Sequence, residues 1–427
     1  MIYSKDLVEK LEGKAYDAQL QSIYVDSHLL EYQRARYIEA VEEYEKYFGE
    51  DMLEVYSTPG RSEVCGNHTD HQHGMVLATS INLDSIAIVS KNQEQIVRIK
   101  SKNYELFEVN IEDLAYREEE KETSISLVKG VLFALKEAGY RVEGFNLYTT
   151  SDVLIGAGLS SSAAFEVLIG TVISGLFNDM LISPVKIAQV AQYAENVYFG
   201  KPCGLMDQMA CSVGSLIHID FKELDNPIVN KIEIDFEQYN YSLCIVDTKG
   251  SHVDLTRDYG MIPEEMKSVA EYMGCQVLRE VEEADFIQKI PEIRTHLDDR
   301  AVLRTLHFYK EEKHVQSAVN ALQEDRFEEF LEVIRQSGNS SFKYLQNVYT
   351  NRDIEHQNVS VALALSEEFL GDNGVCRIHG GGFAGTIQCF IKNDVVYEYK
   401  HFIEKVFGKD SCIVLKVRKY GGCKVIE

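Results

Sequence analysis

The chain has 427 residues, 45% hydrophobic and 26% charged, with 43 Lys and Arg against 68 Asp and Glu for a formal charge of −25. This is the composition of a folded chain with a sizeable core, and at roughly 150 residues per domain it predicts two or three domains. The acidity argues against nucleic acid and anionic membranes as partners, because both need clustered Lys and Arg; the oligomeric state is not legible. Nine scattered cysteines without a CxxC pair disfavour a disulfide framework. Met1-Ile2-Tyr3-Ser4-Lys5-Asp6 lacks the apolar stretch of a secretory leader, so a cytoplasmic location is expected.

In chain order, the first informative segment is Pro59-Gly60-Arg61-Ser62-Glu63-Val64-Cys65-Gly66-Asn67-His68-Thr69-Asp70-His71-Gln72-His73-Gly74. Varied hydrogen-bonding side chains between turn-forming glycines suit a polyol-binding loop. Metal binding by His68, His71 and His73 with Asp70 is a second reading, although the gaps fit neither a helical HxxxH pair nor a finger. A plain polar surface loop is a third. Strands are predicted over Ser85–Ser90 and Val97–Ser101 from β-branched content and alternation, and Glu118 to Glu122 reads as a solvated loop or helix start.

Gly156-Ala157-Gly158-Leu159-Ser160-Ser161-Ser162-Ala163-Ala164-Phe165-Glu166 then leads into apolar residues at Leu168, Ile169 and Val172. Small residues ahead of a helix N-terminus can cradle an anion on free N–H groups, or can serve only as a turn. The segment lacks the Gly-Lys-Ser/Thr of a Walker A loop and the third glycine of a dinucleotide fingerprint. Ser183-Pro184 caps a helix with Ile187, Val190, Ala191, Ala194 and Val197 on one face, closed by Gly200-Lys201-Pro202. Further strands are predicted over Leu216–Asp220, Ser242–Asp247, Thr386–Ile391 and Cys412–Arg418. Asp225-Asn226-Pro227 marks a boundary between a lobe over 1–224 and a lobe over 225–427. The third glycine-bearing segment, His379-Gly380-Gly381-Gly382-Phe383, joins two strands, and three glycines in a row imply that a backbone or ligand passes close by. The fold class is α+β.

Together, in this order, the three segments resemble the galactokinases of the GHMP small-molecule kinase superfamily: a Pro-Gly-Arg plus Gly-Glu-His-Thr-Asp-Tyr signature, a Gly-Leu-Ser-Ser-Ser-Ala phosphate loop and a closing Gly-Gly-Gly-Phe-Gly-Gly motif. Phe48-Gly49-Glu50, Ala194-Glu195 and Gly204-Leu205-Met206-Asp207-Gln208 also match, so the resemblance covers roughly residues 48 to 391. It implies a two-lobed kinase with a ribosomal-protein-S5-like N-terminal lobe and a ferredoxin-like C-terminal lobe. The implied activity is phosphorylation of the anomeric C1 hydroxyl of galactose by ATP with Mg²⁺.

By that resemblance Asp207 takes the proton of the sugar hydroxyl and Arg61 stabilises the developing negative charge. Asn67, His68, Asp70, Asp207 and Tyr259 contact the sugar. Gly156, Ala157, Gly158, Leu159, Ser160, Ser161, Ser162 and Gly381 bind ATP, and Ser162 with Glu195 holds Mg²⁺. The bland alternatives are a turn Asp, a surface Arg, an ion-paired Glu195 and a core or interface Tyr259, since Arg257 and Asp258 replace the family's Ser-Glu beside it. Three departures concern the substrate: Glu63 replaces an Asn, Asn67 replaces the Glu associated with the sugar's C6 hydroxyl, and His71 replaces a Tyr. A neutral Asn67 no longer repels an anion, which raises galacturonate, whose kinases share a similar loop pattern, as the alternative substrate. A non-catalytic sugar sensor is the rival class, disfavoured by the complete serine loop, and a mevalonate- or homoserine-type kinase leaves the first motif unexplained.

Overall fold

The structure, a computed structural model, describes every residue except Ile155, Ala157, the stretch 251–254 and Glu427, and it leaves the side chain of Thr256 aside. Its larger sheet is built on two long antiparallel strands, Met52–Cys65 and Met75–Lys91, joined by the loop that holds residues 66–74. Phe145–Ser151 continues the sheet beside Met75–Lys91 and pairs in parallel with Ile96–Ser101. Expected strands recur as Leu216–Asp220 and as parts of longer ones, except that Cys412–Arg418 is a strand only to Leu415. The first polar segment is only half a loop: Pro59 to Cys65 lies in a strand buried from Leu53 onward.

Helices Ser124–Glu137, Ser161–Asn178 and Pro184–Tyr193 pack on one face of this sheet. Ser161–Asn178 is apolar all round and long enough to cross a membrane, yet 72% of it is buried within the protein, as a central core helix would be. Burying Val167, Leu168, Ile169, Val172 and Ile173 is worth roughly 1.5–3 kcal/mol each before ordering costs. This fixes the helix whose first turn follows the glycine-serine loop. The first 48 residues form three helices, Ser4–Glu12, Asp17–Tyr24 and Leu30–Phe48. They bury Leu7, Leu20, Tyr37 and Val41 in a second core with Ile86, Ile88 and Tyr148.

A smaller antiparallel sheet has the order Gly374–His379, Thr386–Lys392, Tyr241–Asp247, Cys412–Leu415, covered by helices that include Asn358–Leu370 and Val396–Phe407. The division between lobes differs from the expected cut after residue 224. Ile228–Ile232 pairs with Leu216–Asp220 in the first sheet, so the crossing follows Ile232. The chain also returns at its end, where Cys423–Lys424 pairs with Tyr56 and Ser57. Apolar Val425 and Ile426 complete the second core, a burial that a linear division cannot anticipate.

Candidate active site

Between Pro59 and Arg61 the long strand shifts register against its neighbour. A bulge of this kind takes a residue off the ladder and re-aims its side chain. The Arg61 N–H bonds the Leu159 carbonyl of the glycine-serine loop at 3.1 Å. The Arg61 guanidinium donates from Nε and Nη2 to the two Asp207 oxygens at 2.7 Å each, and from Nη1 to the Gly158 carbonyl. One cation therefore ties the strand, the loop and the first turn of helix Met206–Val213. Burial pushes the Asp207 carboxyl up, but the Arg61 charge and hydrogen bonds, with the Ser160 hydroxyl, outweigh it and hold the group below its ordinary value.

Asp70 opens the turn Asp70–Gln72 and lies against Gly204, two residues ahead of Met206, where a Cβ would run into its carboxylate. Burial first, and then the nearby Asp207 charge, push Asp70 up to about 6. His68 sits in the left-handed region (φ 57°) and donates from Nε2 to the Gly381 carbonyl at 3.1 Å. Burial pulls it down to about 4, so the ring is neutral. The His68 and His71 rings meet edge to face at 5.6 Å. Among the described residues no cluster of three or more metal-ligating side chains forms, which removes support from the histidine metal site.

Asn67 departs from the expected sugar contact. It is 1% exposed, and both polar atoms of its side chain are engaged within the protein. Its Nδ2 donates to Glu63 at 3.0 and 3.1 Å and to the Gly380 carbonyl at 2.7 Å, while its Oδ1 accepts from Asn347 at 2.8 Å and from Ser341. Glu63 in turn accepts from Arg377 at 3.0 Å. The two departures read separately in the sequence thus belong to touching side chains: a carboxylate at position 63 stands in contact with the amide at position 67.

Leu159 is wholly buried and anchors the glycine-serine loop, while Ser160 takes the left-handed conformation (φ 58°) and commits its hydroxyl to Asp207. Gly158 (φ 65°) has little room for a side chain, since a Cβ would lie 3.0 Å from Thr386 Oγ1. Gly156 is also left-handed (φ 80°), Ser161 begins the core helix, and Ala157 lies outside the described residues. The Ser162 hydroxyl is 3.4 Å from Glu195 Oε1, and Glu195 sits in a π-helical turn, Ala194–Phe199, that ends helix Pro184–Tyr193. Such wide turns are frequent at functional sites. Gln208 Nε2 bonds Glu195 at 2.8 Å and Glu166 at 3.3 Å, and Lys201 reaches Glu195 at 3.2 Å. Burial, then the Glu195 charge, pushes Glu166 well up, and Glu166 Oε1 is buried without a partner. Sequence reading passed over Glu166, whose one signal is its position four residues after Ser162 on the same helix face.

From the second lobe, the turn Gly380 to Gly382 closes on the loop over residues 66–74. Gly380 and Gly382 are left-handed (φ 66° and 86°), and a Cβ on Gly381 would come within 2.7 Å of the Tyr259 ring. Tyr259 donates from its hydroxyl to the Gly382 carbonyl at 2.7 Å. Gly381 accepts from His68 and from Asn347, while a Cβ on its neighbour Gly380 would lie 3.9 Å from the Gly158 carbonyl of the glycine-serine loop. Helix Asp299–Gln323 also reaches over: His307 Nε2 bonds the Asn67 carbonyl at 2.8 Å, and Glu311 accepts from the Gly66 N–H at 3.1 Å. These residues have no sequence signal beyond being polar positions in an otherwise core-facing helix.

Two sequence families match the chain. Residues 126–215 match the GHMP kinases N terminal domain, and residues 42–91 match the galactokinase galactose-binding signature. A galactokinase of Streptomyces coelicolor is 29% identical over 372 residues, covering 86% of this chain and 92% of the relative. One from Actinobacillus pleuropneumoniae serotype 3 is 28% identical over 382 residues, covering 88% and 94%. Among solved structures, Lactococcus lactis galactokinase complexed with galactose superposes with a TM-score of 0.77 at 23% identity, covering 90% of this chain and 98% of the other. Methanococcus jannaschii mevalonate kinase gives 0.57 at 15% identity, covering 85% and 98%. The expected two-lobed architecture is therefore the observed one: the chain has the fold of these kinases, and two of its segments match the GHMP kinases N terminal domain and the galactokinase galactose-binding signature.

Proposed function

We propose that the protein is an ATP-dependent sugar kinase that phosphorylates the C1 hydroxyl of galactose. The observation that carries this reading is the bidentate Arg61–Asp207 pair at the mouth of the glycine-serine loop, with Asp70 beside it. The choice of sugar is supported by the name shared by the curated relatives and by the galactose-binding signature over residues 42–91.

Phosphoryl transfer asks for in-line positioning and for charge stabilisation more than for covalent help. Asp207 accepts a hydrogen bond from the attacking hydroxyl and orients it. A carboxylate held this low is a weak base, so it takes the proton late, as the sugar oxygen bonds to the γ-phosphorus, the bond from that phosphorus to the ADP oxygen breaks with departure of ADP, and the hydroxyl's own basicity falls. Arg61 lies against the same carboxylate and offers positive charge to the phosphoryl oxygens. Backbone N–H groups of the loop and of the first turn of Ser161–Asn178 hold the other phosphates. Asp70 and neutral His68 bind ring hydroxyls.

Ser162 and Glu195 are the residues that would hold Mg²⁺. Two hard oxygens 3.4 Å apart, beside the unpartnered Glu166 Oε1, suit a cation that completes its shell with phosphates and water. When bound, Mg²⁺ supplies positive charge at the phosphates. Glu195 is meanwhile held by Gln208 and Lys201, and Lys201, 64% exposed, can swing away.

The Glu63–Asn67 contact argues against galacturonate, since a carboxylate stands against position 67. Comparing kcat/KM for galactose, galacturonate and N-acetylgalactosamine tests this: galactose is expected to lead, and turnover of galacturonate alone would overturn it.

A further inference from the structure

Outside the Arg61–Asp207 cluster the second lobe contains an open-sided cavity of about 1070 Å³, lined by Arg257, Arg300, Lys343 and Arg352 together with Asp258 and neutral polar and apolar side chains. None of Arg61, His68, Asp70 or Asp207 lines it. Its volume is that of a pocket for a molecule of nucleotide or sugar-phosphate size. In a chain of net charge −25 a cavity with four cations and one carboxylate in its wall is a local reversal of sign.

The pairing of those cations gives the reversal a magnitude. Asp258 is engaged by Arg352. Glu265 is shared between Arg300 and the buried Arg304, at 2.5 and 2.9 Å. Arg304, first through burial, is pulled down to about 10, as expected where one carboxylate serves two guanidinium groups. Arg257 and Lys343 have no carboxylate within ion-pairing distance among the described residues, and the Lys343 ammonium lies over the Tyr344 ring at 5.2 Å. Two positive charges are thus left without counter-carboxylates, and a phosphate ester carries about −1.5 to −2 at neutral pH. Guanidinium forks match its oxygens, and Met261, Phe342 and Phe383 offer contact to an organic body. Phe342 is 54% exposed although it belongs to this wall.

We propose that this cavity is a second binding site, distinct from the catalytic one, for a small phosphate-bearing molecule. It shares a wall with the sugar site: Arg257, Asp258 and Met261 stand on the same helix as Tyr259, whose ring meets Phe383 edge to face at 5.4 Å.

The test is calorimetric titration of the full chain by three probes, inorganic phosphate, pyrophosphate and glucose 1-phosphate, with a double variant separating binding in this cavity from binding at the glycine-serine loop. At least one is expected to bind with a Kd of low millimolar or below. Tight binding of pyrophosphate would assign the site to phosphate groups alone, and tight binding of glucose 1-phosphate to a phosphate with an organic body. The double variant Arg257→Glu, Lys343→Glu, both residues exposed, is expected to bind that probe at least tenfold more weakly while kcat for sugar phosphorylation stays within twofold. No binding of any probe, unchanged binding by the double variant, or loss of kcat in that variant would each overturn a separate phosphate site. Heat of binding is read whether or not galactose is turned over, so this result stands apart from the kinase reading.

Discussion

Asp70 and Asp207 lie close enough to sense one another, and their environments push them in opposite directions: Asp207 is held low by Arg61, whereas Asp70 rises to about 6. A carboxyl raised in the folded state takes up a proton more readily than the unfolded chain does, so its cost to stability is full above pH 6, shrinks as pH falls below 6 and is gone only below the unfolded value of about 4. Sugar hydroxyls need the ionised form as acceptor. KM for galactose is accordingly expected to rise as pH falls below about 6, while kcat changes less, and Asp70→Asn should remove that pH dependence. A flat KM between pH 5 and 7 in the unaltered protein would count against the role of Asp70. Position 67 offers a second test. Asn67→Glu sets two buried carboxylates together and leaves the Gly380 carbonyl without its donor, a change of the class that costs about 3–5 kcal/mol. The double variant Glu63→Asn, Asn67→Glu restores a donor and an acceptor between the two positions but still leaves Gly380 without its donor and takes the carboxylate from buried Arg377, so only part of the loss should be recovered, as read by urea unfolding and by KM. The sequence showed both substitutions but not that they touch, because a spacing of four residues across the end of a strand does not by itself say which side chains meet.

At the scale of elements, the site is made by distortions of regular structure. The bulge at Gly60 sends the Arg61 N–H to Leu159, the π-helical turn carries Glu195 toward Ser162, and the left-handed Ser160 turns its hydroxyl to Asp207. Gly158→Ala tests the loop. A left-handed alanine costs about 1–2 kcal/mol, and its methyl would press on Thr386 at 3.0 Å. The expected result is a loss of kcat/KM of at least tenfold with only a modest fall in stability. The sequence announced these elements well where periodicity or capping was strong. Ser183 caps the helix start as expected, its Oγ accepting from the Lys186 N–H at 3.2 Å. It was misleading over residues 59–65, where polar side chains suggested a loop. Those side chains are satisfied by the second lobe: Ser62 by His379 and Gln388, and Glu63 by Arg377. A buried strand whose polar groups are paired across lobes has no alternation to reveal it.

For the molecule as a whole, Asp84 joins the parts that sequence reading kept separate. Wholly buried, it accepts from Tyr24 and Arg36 of the N-terminal helices, from Ser57 of the long strand and from Arg418 of the returning C-terminal segment. It pairs in register with Pro59, two residues before Arg61. The first 48 residues therefore buttress the strand that carries Arg61. Asp84→Ala leaves Arg36 and Arg418 buried without their shared carboxylate, and about 3–5 kcal/mol of stability should be lost in urea unfolding. The glycine-bearing motifs, being local, were legible in the sequence; these connections depend on pairs separated by up to several hundred residues.

The net charge of −25 had excluded polyanionic partners, yet the proposed substrate is ATP. Local groups resolve this, because a guanidinium, a helix terminus and backbone N–H groups act at contact distance, while the global field is screened beyond about 8 Å at physiological salt. The central claim is that Asp207, held ionised by Arg61, orients the attacking sugar hydroxyl. Its most direct test is galactose-dependent ADP release by the unaltered protein and by Asp207→Asn, with galactose affinity measured in parallel. The account predicts turnover with ATP and Mg²⁺ in the unaltered protein, at least a thousandfold loss of kcat in the variant, and sugar binding retained within about tenfold. Absence of galactose-dependent turnover in the unaltered protein, or near-full turnover in Asp207→Asn, would contradict it.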